Sequence, residues 1–270
     1  MKIFINEFIK DYKKISTYIY LLISFIIISI VNFVYYKQET QASGEEILSE
    51  TFALVSLLGI LFALIIFANN ITSEYTKGTI KLLYSKPKSR SKILTAKIIL
   101  ALVNTIIFIL VNFVFDFLTK KFIFFKTKIN FHTIWTKEVS GNYIYTTFYE
   151  NISMQFLFSL ILAICYIALV LFICVLFKKT VISICIVLFM ILGNGTISYL
   201  TSFLIGKYEF VKYIFTNIAY IPTYFTNVGL KQMISEKFLL SSRELLIMAL
   251  CYTVFFIVIS YIVNSRRDIK

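Results

Sequence analysis

Lys97, Asn104, Thr105, Asn112 and Asp116 are the residues best placed to do chemistry in an apolar setting. At 100° per residue they fall within one stripe about 120° wide on a single helix. An amide or carboxylate in hydrocarbon needs a partner, whether a neighbouring helix, water or a passing substrate. The stripe of Asn104, Asn112 and Asp116 therefore has two uses open to it. It can line a transport route, or a dimer seam that opens into one, or it can hold helices together at roughly 0.6 kcal/mol per contact. Lys97, close to the helix end, is expected to snorkel towards the interface.

Elsewhere no catalytic residue and no metal set is visible. The single histidine, His132, lies in a loop near Trp135, where a surface or interfacial role is the ordinary one. Glu45 and Glu46 are adjacent, and successive helical residues point about 100° apart, which excludes a joint acid/base role. No glycine opens a G-x-x-x-x-G-K-[ST] loop that could cradle phosphate, so any ATPase driving this protein is a separate chain. Cys165, Cys174, Cys185 and Cys251 fall in apolar runs and are expected as free, buried thiols.

The elements that must position these residues are membrane helices. Hydrophobic residues make up 59% of the 270 and charged residues 15%, a balance that excludes a soluble domain. Continuous runs of about 20 apolar residues match a hydrocarbon core about 30 Å thick. Their lack of alternation selects helices over a barrel. Spans are expected at about 16–36, 51–71, 93–118, 152–177, 180–200 and 244–264 in a single transmembrane domain, 1–270. The first run lies too far inside the chain, and is too long, for a cleaved signal peptide. Before it, Ile3, Phe4, Ile5, Phe8, Ile9 and Tyr12 gather on one helical face that Glu7, Lys10, Asp11, Lys13 and Lys14 mostly avoid. That pattern predicts a helix over 1–15 lying in the interface.

Positive charge near span ends favours the cytoplasm. Lys2, Lys10, Lys13 and Lys14, the lysines of 72–92, Lys178 and Lys179, and Arg266, Arg267 and Lys270 then lie inside, with both termini. Glu39, Glu45, Glu46 and Glu50 face outward beside Lys37. Two outer segments run against the rule: 119–151 holds Lys120, Lys121, Lys126, Lys128 and Lys137, and 201–243 holds Lys207, Lys212, Lys231, Lys237 and Arg243. The net charge of +13 is spread over every loop without a nucleic-acid motif and suits anionic headgroups instead. Gly193, Asn194 and Gly195 lie deep in the fifth span, where each glycine weakens a helix by about 1 kcal/mol relative to alanine, so a bend or break is expected there. Tyr208–Tyr220 and Thr223–Leu240, split by Pro222, read as short outer-side helices dipping into the interface.

Between the second and third spans the chain is densely polar. Ile80, Leu82 and Leu83 sit among Lys77, Lys81, Lys86, Lys88, Arg90 and Lys92, a greasy contact in a basic collar. Each buried aliphatic side chain is worth about 1.5–3 kcal/mol, so this cluster should dock on a partner, or else lie on lipid or on its own spans. Glu74, Gly78-Thr79, Leu82-Leu83, Pro87 and Ser89-Arg90 in this position resemble the Glu, Gly-Thr, Leu-Leu, Pro, Ser-Arg signature of type-2 ABC transporter permeases.

The resemblance implies an all-α polytopic membrane protein with six transmembrane helices, an N-terminal interfacial helix, a cytoplasmic coupling helix and outer re-entrant helices that gate the path before the last span. Its coupling helix would run from about Thr72 to Tyr84 and end at Pro87, which lacks the amide donor a continuing helix needs. It implies a half-transporter in a bacterial plasma membrane, paired with a second permease chain, identical or different, and resting on two ABC ATPase subunits that hold ATP and magnesium. The chain itself would carry no cofactor and bind membrane lipids rather than nucleic acid. Export of a hydrophobic or amphipathic peptide, bacteriocin or drug is the expected function. Two alternatives stay open: an ATPase-independent channel or ion transporter, which would want more intramembrane charge, and a non-transporting anchor or sensor.

Overall fold

The computed structural model describes residues 2–38, 43–76, 90–124, 129–139 and 142–266. A short helix α1 (Lys2–Tyr12) leads into α2 (Ile15–Lys37), α3 (Gly44–Thr76) and α4 (Arg90–Leu118), which runs on as a π-helical turn, Thr119–Phe124. An antiparallel hairpin of β1 (Ile134–Val139) and β2 (Asn142–Thr147) follows, with Ile134 opposite Thr147 and Val139 opposite Asn142. Then come α5 (Phe148–Phe177), α6 (Thr180–Leu192), α7 (Asn194–Ile205), two 3₁₀ turns (Glu209–Tyr213 and Phe215–Tyr220), α8 (Ile221–Thr226), α9 (Val228–Phe238) and α10 (Ser242–Arg266). We call the end that carries α1 proximal and the other distal.

The three long helices that start at the distal end begin the same way. Ser43 with Glu46, Thr147 with Glu150, and Ser241 with Glu244 form reciprocal caps. In each, the glutamate accepts from the first residue's backbone N–H at 2.7–2.9 Å, and its own N–H is accepted by the hydroxyl at 3.3 Å. Two otherwise orphaned helix donors are satisfied at each start.

Helices α2, α3, α4, α5 and α10 are long and apolar enough to cross a membrane, and the bent pair α6 and α7 makes a sixth candidate. At about 1.5 Å per residue, the 33 residues of α3 extend about 50 Å, well beyond a 30 Å hydrocarbon core. The last turns of α3, Thr72 to Thr76, belong to this helix rather than opening a new one. Thr72 Oγ1 donates to Ala68 O at 2.7 Å and meets Thr180 Oγ1 at 2.9 Å.

Helix α3 forms the centre, with 83% of its most apolar stretch buried, against 67% for α5 and 22% for both α2 and α10. A helix apolar all round is one meant to be surrounded. The tightest crossing is at Gly59, where a β-carbon would lie 2.8 Å from Ile109 Cγ1 and 2.9 Å from Ile109 N on α4. Small residues allow such close backbone approach between membrane helices. Gly59→Leu is expected to cost about 1–3 kcal/mol by overpacking, read as a lowered melting temperature of the detergent-solubilised protein. An unchanged melting temperature would show that α3 and α4 have room to separate.

Two points differ from the sequence reading, the hairpin and the cysteines. The hairpin was not foreseen; its base is tied to α5 through Phe148 N donating to Thr133 O and Tyr149 N donating to Phe131 O. Helix α1 sinks Asp11 fully into the protein, while Ile5 and Ile9 are 46% and 45% exposed. The carboxylate finds donors on the bundle, and the isoleucines suit an apolar exterior. Among the cysteines, only Cys165 and Cys174 are buried, and Cys185 and Cys251 lie exposed on the outer faces of α6 and α10.

Candidate functional site

Two buried polar clusters sit at opposite ends of α4. The proximal one is built around Asp11. Asn70 Nδ2, on α3, donates to both carboxylate oxygens at 2.7 Å, and Asn104 Nδ2, on α4, donates to Oδ2 at 3.1 Å. Lys14 Nζ lies 3.2 Å from Asp11 Oδ1 and donates to Asn70 Oδ1 at 2.7 Å. Lys97 does not snorkel. Its ammonium is buried, pairs with Glu74 at 2.6 Å and donates to Asn70 O at 2.8 Å. Lys10 adds weaker contacts, 3.3 Å to Glu7 and 3.9 Å to Glu74. Beside this cluster, burial raises the Tyr12 hydroxyl to about 12, with the Asp11 charge adding to the effect.

Together these contacts join α1, the end of α3 and the start of α4. Glu74 precedes the stretch 77–89 and Lys97 follows it, so one ion pair closes the base of that stretch. Gly78, Thr79, Leu82, Leu83, Pro87 and Ser89 lie outside the described residues. Arg90 is the first residue of α4.

The distal cluster is built around Asp116, fully buried, with Lys120 one turn further on. Lys120 Nζ reaches the two carboxylate oxygens at 2.5 and 2.6 Å and Thr51 Oγ1 at 2.6 Å. Thr51 donates to Asp116 Oδ2 at 2.8 Å, and Asn32 Nδ2, from α2, donates to Asp116 Oδ1 at 2.9 Å and to Thr119 Oγ1 at 2.7 Å. With the third span ending at 118, the sequence places Lys120 in an outer loop. The helix continues through the π-helical turn and carries it inside, which removes one of the lysines that ran against the charge rule. The signal was present as an acid and a base four residues apart at an apolar helix end.

Between the clusters, Asn112 is fully buried, and neither atom of its amide has a hydrogen-bond partner among the described residues. The whole stripe of Asn104, Asn112 and Asp116 is covered by the chain's own helices. It brings α1, α2 and α3 to one face of α4.

Gly193, Asn194 and Gly195 mark a real break, with α6 and α7 meeting at a 58° bend. Gly193 is the residue on which it turns: a β-carbon there would collide with Phe189 O. Around Gly195 nothing lies within 4 Å of where a β-carbon would be, so packing does not require that glycine. Pro222 opens α8, where the missing N–H costs nothing. The short helices are held on the bundle by Phe158 stacked on Phe225, ring centroids 4.3 Å apart, and by Lys212 pairing with Glu244 at 3.2 Å. That glutamate's hydrogen bond raises the Lys212 ammonium above its ordinary value.

The bundle is that of a multi-pass membrane protein, and comparison with known proteins agrees. Residues 1–269 match the family described as ABC-2 family transporter protein, and the chain belongs to that family. It is an all-α polytopic membrane protein of a transporter family. It is 26% identical over 216 residues to the uncharacterized protein YhcI of Bacillus subtilis (strain 168), covering 77% of this chain and 64% of that relative. The chain thus spans less than two thirds of the length of the curated relative it matches.

Proposed function

We propose that this chain is the membrane-spanning permease of an ATP-driven exporter. It works with two copies of a separate ABC ATPase subunit, which hold ATP and magnesium, and pairs with a second permease chain in a bacterial plasma membrane. The proximal end is cytoplasmic, as the lysines there favour. Residues 77–89, with Gly78, Thr79, Leu82, Leu83 and Pro87, dock on the ATPase, and the cargo is a hydrophobic or amphipathic molecule.

The observation that carries this reading is the clamp at the base of the docking stretch. Glu74 and Lys97 tie its two ends together at 2.6 Å, and Asn70, Asp11 and Asn104 tie that base to α1 and α4. A push on the stretch would then move three helices as one body, the kind of rigid shift by which nucleotide binding can reach a transport path. Glu74 serves here to hold the docking stretch, while Leu82 and Leu83 supply the contact. Asn104, Asn112 and Asp116 form the internal contact face of α4 along which that shift travels. The Gly193 break lets α7 to α9 move as an outer gate.

The test is co-purification. Leu82→Glu with Leu83→Glu is expected to abolish recovery of the ATPase subunit with the permease and to leave the permease stable in the membrane. Photo-crosslinkers at the same two positions should label the ATPase. Crosslinks to lipid alone in transporting cells would overturn the proposal.

A further inference from the structure

A cavity of about 320 Å³ lies inside the single chain, between α3, α5, the α6/α7 break and the short helices α8 and α9. That is the size range of small-molecule sites, about 300–1,000 Å³. Its walls are mostly apolar, with Ile60, Leu162, Ile191, Ile234 and Phe238 among them. The rim is apolar and open: Leu57, Leu230 and Met233 are 39%, 40% and 54% exposed.

Two polar groups in the lining have unused capacity. Asn194 Oδ1, at the helix break, is buried and accepts no hydrogen bond. Lys237 is exposed and lies over the Tyr199 and Phe238 rings, 5.5 and 6.0 Å from their centroids. No carboxylate among the described residues pairs with it, and its neighbour Glu236 accepts from Gln232 at 3.0 Å. Of the hydroxyls in the lining, Ser56 donates to Ala53 O and Thr223 to Tyr220 O.

We propose that this cavity binds one acyl chain of an anionic glycerophospholipid whose headgroup carries free hydroxyls, of the phosphatidylglycerol type. The chain fills the apolar walls, the phosphate pairs with Lys237, and a hydroxyl donor answers Asn194. The open apolar rim gives such a lipid lateral entry, and the unpaired ammonium selects a negative head over a zwitterionic one. The site lies within one protomer and holds whether or not the chain exports anything.

The test uses the full-length protein in phosphatidylcholine nanodiscs doped with photoactivatable acyl probes, one on phosphatidylglycerol and one on phosphatidylcholine. Labelled peptides are mapped by mass spectrometry. At residues 53–60 and 162–166 the wild type should take the phosphatidylglycerol probe about fivefold over the other, the worth of one lysine at an anionic headgroup. Lys237→Gln should bring the ratio to parity, Lys237→Arg should keep it, and Met233→Trp at the rim should lower both. Equal labelling of the wild type by the two probes would overturn the proposal. So would absence of label at those residues. The wild-type comparison decides the matter even if a variant folds poorly.

Discussion

Lys120→Met is expected to destabilise the protein by about 3–5 kcal/mol, because it leaves Asp116 charged, buried and without its cation. Asn32 and Thr51 would still donate to the carboxylate, at 2.9 and 2.8 Å, but neither carries compensating charge. Removing both members is a different matter. Apolar replacements of a buried ion pair are often neutral or stabilising, and both neighbours keep other partners. Thr51 can still donate to Ile47 O at 3.0 Å, and Asn32 to Thr119 Oγ1 at 2.7 Å. Asp116→Leu with Lys120→Met should therefore recover most of what the single change loses. Thermal unfolding of the four proteins of this cycle in one detergent measures the coupling. A double variant as unstable as the single one would mean that the polar cluster stabilises for a reason other than mutual neutralisation.

Asp11→Ala should release α1 from the bundle. The carboxylate takes three hydrogen bonds from the side-chain amides of Asn70 and Asn104 and an ion pair from Lys14. Charge-assisted hydrogen bonds are worth about 1.5–3 kcal/mol each, and the alanine would strand both amides. Losing even one such bond corresponds to roughly a tenfold or larger rise in local opening. Hydrogen exchange of the α1 amides reads it directly, with the proteolytic susceptibility of residues 2–14 as a second measure. Asp11→Asn is nearly as harmful, because one acceptor oxygen becomes a donor facing other donors. If α1 kept its protection in both variants, its apolar contacts and not this carboxylate would be what holds it.

The fold was largely legible because bilayer-length apolar runs are the strongest pattern a sequence carries. The five long helices and the bent pair fall close to the runs read from hydropathy. Helix ends were less visible. The glutamates of Ser43-x-x-Glu46, Thr147-x-x-Glu150 and Ser241-x-x-Glu244 are spaced for reciprocal caps, and attention to that spacing would have moved three span starts outward. The hairpin was missed because its strands alternate weakly and lie between two spans, where loops are the ordinary expectation. For the polar residues, one-dimensional patterning found the α4 stripe but not its partners. Asp11 and Asn70 are 59 residues apart, and Asn32 and Asp116 are 84 apart. No local spacing encodes which charge meets which amide across such distances. At α1 the amphipathic pattern marks the helix and its two faces but not the partners that Asp11 finds on α3 and α4.

The placement of both clusters on α4 constrains how that helix can travel. Lys97 and Asn104 are engaged in its proximal half, and Asp116 and Lys120 at its distal end. Advancing the helix by one residue about its own axis would swing all four away through about 100°. Lys97 would leave Glu74 and Asn104 would leave Asp11, while the Asp116–Lys120 pair, both members on this helix and still joined, would be drawn off Thr51 and Asn32. Axial rotation is therefore locked, as by a key cut at both ends, and the strokes left to α4 are tilting or sliding in company with α1, α2 and α3.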